Sequence, residues 1–276
     1  AWTTGPAGAL RQAAVQALLL VVPAEETPAL AACLALEEGE QRGLGETFIS
    51  LLDRPLPANF ALPGPLYATR DSGLQRDLAR FLAAHPMEGA EGFLVEHALD
   101  PARPRQERAL FLVAFEAGAR NFRWKTGEKA MESYLESAPR SDTSEDVAWT
   151  LHHLGSRLAK AFLLADVERE ARERPDSWKA QAALARRQVD VGEHSEAFRN
   201  YKKVFDSLQG TSFERAIASQ DYVWAARAAA GARRNKEAGQ WLEASGLNPV
   251  ELAAHKDYAE FSGLLDKQPF KRLFGL

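Results

Sequence analysis

Histidines and carboxylates are the residues of this 276-residue chain that could carry chemistry, and their spacing indicates no reaction. None of the six histidines lies in the H-E-x-x-H pattern, which places two zinc ligands and a general base on one helix. Glu251 and His255 are four residues apart and would share a helix face, but a metal site needs further ligands. Phosphate-binding loops and nucleophile elbows of known pattern are absent from the sequence. We therefore predict no catalytic residue, no metal and no cofactor, which favours a protein that is not an enzyme.

Composition excludes several other classes of protein. The single cysteine, Cys33, rules out a disulfide framework and a cysteine-ligated zinc site. A net charge of −4 argues against nucleic acid as a partner, and the basic pieces Arg123–Lys125 and Lys202–Lys203 are typical of solvated helix ends. No apolar run approaches the roughly 20 residues that span a bilayer. The cytoplasm is slightly favoured, although the chain begins at Ala1 without a methionine and a targeting signal could have been removed.

The elements that must position any site are helices. Ala, Leu, Glu and Arg dominate the sequence, β-branched residues are sparse, and apolar residues recur at helical spacing. We predict an all-α fold, an α-solenoid of helical hairpins. We expect residues 1–140 to form an irregular array resembling HEAT or armadillo repeats, and residues 141–276 to form a more regular one.

The irregular part contains two distinctive segments. Residues 54–67 carry prolines at Pro55, Pro57, Pro63 and Pro65, which exclude a helix and predict an ordered loop laid over the helices. The alternatives are that this segment is a linker or that it is a proline-rich ligand for another module. Residues 106–117 (QERALFLVAFEA) predict a central buried helix.

The regular part begins with a helical hairpin at residues 176–206, DSWKAQAALARRQVDVGEHSEAFRNYKKVFD, with its turn at Gly192. This hairpin resembles a tetratricopeptide repeat, a helix–turn–helix unit of about 34 residues. Ala185 lies where the family has the glycine of its Leu-Gly pair. Ala197 lies at the small residue of the second helix, and Tyr201 at the aromatic residue after it. The small residues let the two helix axes approach.

A stretched second copy and a terminal segment follow the first hairpin. Ala238 matches Ala197 about 41 residues later, with the turn at Arg233–Asn235. Residues 257–275 resemble the segment that often ends a tetratricopeptide array, and their apolar stripe is predicted to cap the last hairpin. The stripe comprises Phe261, Leu264, Leu265, Phe270 and Leu273.

The resemblance also implies a binding surface, because the first helix of each repeat lines the concave face of the array. It places Lys179 and Arg186 on the first hairpin, and Trp224 and Arg227 on the second. Family members that hold a peptide's C-terminal carboxylate carry basic or amide residues at comparable positions. The implied partner is therefore an acidic peptide or a C-terminal carboxylate, with Trp224 as a flat apolar contact. The same register exposes Ala182, Ala183, Val189, Asp190 and Val223. The alternative is intramolecular salt bridging around a packed tryptophan.

These features together predict a non-catalytic scaffold or adaptor that binds a peptide or protein segment in a helical groove. Two other functions stay open. The chain could be the helical regulatory region of a larger enzyme. It could also be an all-α enzyme or ligand carrier with a site between the helices near residues 111–124, which would require a closed pocket with convergent polar groups.

Overall fold

The architecture was analysed in a computed structural model that describes Ile49, Leu52, Leu56, Leu62 and residues 64–276. All regular structure in these residues is helical and no strand occurs among them, which confirms the predicted all-α class. The helices form two compact units, the first ending at Ala159 and the second spanning Lys160–Leu276. The helices predicted before residue 49, and Cys33, lie outside the described residues.

The first unit is built around one long helix. Its helices are α1 (Ser72–Ala84), α2 (Glu91–Leu99), α3 (Arg105–Phe122), α4 (Lys125–Ser137) and α5 (Asp142–His153). α3 packs against α1, α2 and α5. Phe111 and Phe115 on α3 are fully buried, as expected of the helix predicted at residues 106–117. A fully buried aromatic residue contributes several kcal/mol to the core, about 3–5 kcal/mol when judged by its truncation to alanine.

Only part of the proline-rich segment is described. Gly64–Ala68 forms a 3₁₀ helix, and both Leu62 and Leu66 are buried. Burial raises the pKa of Tyr67 to about 12. The described end of this segment therefore packs onto the protein, as the ordered-loop prediction requires. The expectation that the prolines exclude a helix is wrong for Gly64–Ala68, because Pro65 is tolerated in the first turn of this short 3₁₀ helix.

The boundary between the units lies later than the sequence predicted, after residue 159 rather than after residue 140. The reason is α5, which packs against α3 and α4 and so belongs to the first unit. Ser141 caps α5 by accepting a hydrogen bond from the Ser144 N–H at 3.2 Å. After α5 the chain turns at Gly155, whose φ of 91° suits glycine, and α6 follows (Arg157–Glu173).

The core of the first unit contains a histidine whose titration should affect stability. The His97 ring lies edge-on to Phe93, with ring centroids 4.7 Å apart, and 5.1 Å from the ring of Phe111. Burial lowers the pKa of His97, and Arg103 lowers it further, against the opposing charges of Glu96 and Asp100. The folded protein thus resists protonation of this ring more than the unfolded chain does.

We expect the free energy of unfolding to fall as the pH drops below about 6.5, because the unfolded chain then binds the proton more readily. The stability that neutral His97 contributes is complete above that pH and is lost on acidification. His97→Leu should flatten this dependence. Urea unfolding of the wild type and His97→Leu between about pH 5 and pH 8 measures this pH dependence. If the difference in stability between the two proteins is the same across that range, the prediction is contradicted.

The second unit repeats one hairpin. Its helices after α6 are α7 (Trp178–Asp190), α8 (His194–Leu208), α9 (Ser219–Gly231), α10 (Asn235–Ala244), α11 (Pro249–Ala253) and α12 (Phe270–Leu273). α9 begins 41 residues after α7, and α10 begins 41 residues after α8. The turn residues Gly192 and Arg233, separated by the same interval, have φ angles of 77° and 61°. The sequence offset therefore corresponds to a structural repeat.

The packing inside the two hairpins also repeats. Ala185 and Ala197 of the first hairpin are fully buried, and so are Ala226 and Ala238 at the matching positions of the second. Small residues at these positions let α7 approach α8, and α9 approach α10. The terminal segment packs on the second hairpin, where Phe261, Phe270 and Phe274 join the buried cluster around Leu242. This is the cap that the sequence predicted.

Candidate partner-binding surface

Three of the four predicted binding residues meet on the second unit. α7 and α9, the first helices of the two hairpins, pack side by side. Arg186 on α7 places its guanidinium carbon 5.5 Å from the ring centroid of Trp224, and Arg227 on α9 places its own at 4.2 Å. The 41-residue repeat thus brings two arginines to one indole. We refer to Arg186, Trp224 and Arg227 as the arginine–tryptophan cluster.

Arg227 is held inside the fold. Its guanidinium lies between the rings of Trp224 and Tyr258, 4.0 Å from the centroid of the latter. It donates two hydrogen bonds to Glu260, from Nε to Oε2 at 3.3 Å and from Nη2 to Oε1 at 3.0 Å. The side chains of Arg227 and Glu260 are only 12% and 9% exposed. The intramolecular alternative therefore applies to Arg227, and the expectation that it faces a partner is corrected.

Arg186 is anchored on one side and open on the other. Its Nη2 donates a hydrogen bond to Asp221 Oδ1 at 2.8 Å, while 46% of its side chain remains exposed. Asp221 is 13% exposed, and its second oxygen accepts a hydrogen bond from the Ala218 N–H at the start of α9. Because Asp221 is fixed in this way, it holds the Arg186 guanidinium in place beside Trp224, which is itself partly exposed.

Lys179 does not reach the cluster. It is exposed, and its ammonium group lies 5.8 Å from the ring of the neighbouring Trp178. Ala183 and Asp190 are exposed as predicted. The predicted exposure of Ala182, Val189 and Val223 is wrong, because these three side chains are buried against the neighbouring helices.

The sequence prediction missed Asp221 and Glu260, the two carboxylates that pair with the arginines of the cluster. Desolvation raises the pKa of Asp190, against the opposing charges of Arg227, Arg187 and Arg186. Burial also raises the pKa of Tyr201, and among the charged groups Arg186 opposes this rise while Asp221 adds to it. The Tyr201 hydroxyl faces Arg186 without a hydrogen bond of good geometry. A carboxylate at the third position of a predicted helix could have indicated Asp221 as a cap, but no signal of spacing indicates Glu260.

Other candidate sites of the sequence have structural roles. The Glu251 carboxylate accepts a hydrogen bond from the Asn248 N–H at 2.8 Å, and the His255 ring stacks on Tyr258 with centroids 5.6 Å apart. No group of three or more potential metal ligands occurs among the described residues. A cavity lined in part by Ala119, Arg120 and Arg123 is open to solvent rather than closed.

Comparisons of the chain with models of protein families, with curated proteins and with solved structures find no match. Among the described residues, no helix combines the length and the apolar character needed to cross a bilayer. The function must therefore be argued from the geometry of the surface itself.

Proposed function

We propose that the second unit is a non-catalytic scaffold, a tetratricopeptide-like pair of hairpins that binds a peptide segment along α7 and α9. The observation that carries the proposal is the half-exposed side chain of Arg186, whose guanidinium is held beside Trp224 by a buried carboxylate. An unrestrained arginine loses about 2 kcal/mol of rotamer entropy when it is fixed. Part of that cost is already met by the hydrogen bond to Asp221, so the binding group is preorganised.

The charges around the cluster favour a partner with a single carboxylate. Arg186 and Arg227 stand near three carboxylates, those of Asp190, Asp221 and Glu260. An acidic run would meet repulsion from these groups, whereas one carboxylate can bind the open side of Arg186. We infer that the partner presents its C-terminal carboxylate to Arg186 and an apolar side chain to Trp224.

We expect Arg186→Gln to weaken peptide binding about 10-fold or more, because a hydrogen bond to a charged group contributes about 1.5–3 kcal/mol. The measurement is fluorescence anisotropy with a library of labelled peptides that have free C-termini, followed by the best binder with its C-terminus amidated. Amidation should cause a similar loss for the wild-type protein and little further loss for Arg186→Gln.

The matched control is Arg199→Gln. Arg199 is an exposed arginine on α8 that pairs with Glu196 at 2.6 Å, so its replacement removes the same charge elsewhere on the unit. Circular dichroism is to be used to check that each variant is folded. Equal binding by the wild type and Arg186→Gln, or no binding of any library member, would remove the support for this function.

A further inference from the structure

The first unit carries an open cavity of about 590 Å³ where α3 and α5 end and α4 begins. It is lined by Ala119, Arg120, Arg123, Lys125, Glu128, His153 and Leu154. Cavities of about 300–1,000 Å³ are the usual size for small-molecule sites. Four of the seven lining residues are basic, and one of these is a histidine, so the chemistry of the cavity favours an anion.

Most of the basic groups are partly neutralised, but Arg123 is not. Arg120 Nη2 lies 2.5 Å from Glu116 Oε1, and Lys125 Nζ lies 2.6 Å from Glu128 Oε2. His153 Nδ1 lies 3.1 Å from the other oxygen of Glu116. Within the part of the chain that the structure describes, Arg123 forms no salt bridge with any carboxylate. Three cations thus face the cavity with two carboxylates beside them, which leaves a positive charge without a counter-ion.

The backbone of Arg123 suggests that its side chain is needed there. Arg123 ends α3 with φ 56° and ψ 54°, in the left-handed region. Glycine usually occupies this position because a Cβ makes the conformation unfavourable. A non-glycine residue held in such a conformation suggests a role for its side chain rather than for its backbone.

We propose that this cavity binds a phosphate group carried by a small molecule. Arg123 is the principal phosphate-binding residue, and Arg120 and Lys125 lie beside it. The planar guanidinium can bind two phosphate oxygens at once, and a lysine ammonium adds a point charge. The cavity is larger than a bare phosphate requires, so the remaining volume accommodates the group that bears it. A soluble organophosphate and a phosphorylated lipid headgroup share this chemistry.

The decisive variant is Arg123→Gly, which removes the guanidinium and relaxes the backbone. Isothermal titration with pyrophosphate at about 0.15 M salt should show one saturable site in the wild-type protein. Arg123→Gly should weaken this binding about 10-fold to 100-fold while the melting temperature stays the same or rises. Arg80→Gln, in α1 of the same unit, removes an exposed arginine away from the cavity and should leave pyrophosphate binding unchanged.

Sedimentation with phosphatidylcholine vesicles, with and without phosphatidic acid, distinguishes the two sources of phosphate. Binding of pyrophosphate alone indicates a soluble ligand, and additional binding to vesicles that contain phosphatidic acid indicates a headgroup. The proposal is overturned if neither probe binds, or if Arg123→Gly binds as well as the wild type. It is also overturned if Arg123→Gly lowers only the melting temperature, because Arg123 would then merely complement the carbonyl groups at the end of α3.

Discussion

Replacing Arg227 by methionine is expected to destabilise the second unit by about 3–5 kcal/mol, because it leaves the buried Glu260 carboxylate without its partner. The pair is bidentate and largely buried, and the arginine also contacts the faces of Trp224 and Tyr258. Cation–π contacts of this kind add about 0.5–2 kcal/mol each. The substitution keeps much of the side-chain volume, so the loss reports mainly on charge and hydrogen bonding.

Removing both charges should recover most of that stability. The double variant Arg227→Met, Glu260→Leu replaces the ion pair with apolar side chains, a change that is often neutral or even stabilising in other buried pairs. Arg186→Met is the matched single variant at the equivalent position of the first hairpin. Its side chain is 46% exposed, and Asp221 keeps its hydrogen bond from the Ala218 N–H when the arginine is lost, so the cost should be smaller, about 1 kcal/mol.

The measurement is urea unfolding of the four proteins, combined with hydrogen exchange in the segments around α9 and residues 257–264. Exchange should accelerate there in Arg227→Met and should slow again in the double variant. Similar losses for Arg227→Met and Arg186→Met would contradict the distinction between a structural arginine and an available one. If both losses are small, the contact with Glu260 contributes little to stability.

The sequence predicted the second unit better than the first because its signals are local. The position of Gly192, the offset between Ala197 and Ala238 and the apolar stripe of the terminal segment are all readable at short range, and each corresponds to an observed turn or contact. In the first unit the sequence shows no repeat from which the helices could be aligned. The assignment of α5 to this unit depends on its packing against α3 and α4, which the sequence does not reveal.

The binding surface was predictable only in part, because contacts between residues far apart in the sequence leave no local signal. The resemblance to a tetratricopeptide repeat placed Arg186, Trp224 and Arg227 on one face, and the structure brings them together. Whether each arginine remains available to a partner depends on a segment outside the two helices. Glu260 lies 33 residues from Arg227 in a segment whose apolar pattern indicated packing but not this contact. Periodicity within a helix carries no information about such a partner.

Replacing Gly118 by alanine should destabilise the first unit by about 3 kcal/mol, through overpacking of its core. A Cβ on Gly118 would lie 2.1 Å from Cη2 and 2.2 Å from Cζ3 of Trp124. The indole is buried, with its ring centroid 5.6 Å from that of Phe115 and 5.9 Å from that of Phe122. It therefore has little room to move, and α3 or the indole must shift.

Gly92→Ala is the matched control, because Gly92 also lies in a helix of this unit and nothing stands within 4 Å of its added Cβ. Alanine should stabilise α2 by about 0.5–1 kcal/mol, since glycine loses more conformational entropy on folding. The two substitutions are chemically identical and have opposite expected signs in urea unfolding. A gain in stability for Gly118→Ala would mean that the indole is not held where the structure places it. Because Trp124 stands between Arg123 and Lys125, a displaced indole should also weaken pyrophosphate binding in Gly118→Ala while Gly92→Ala binds normally.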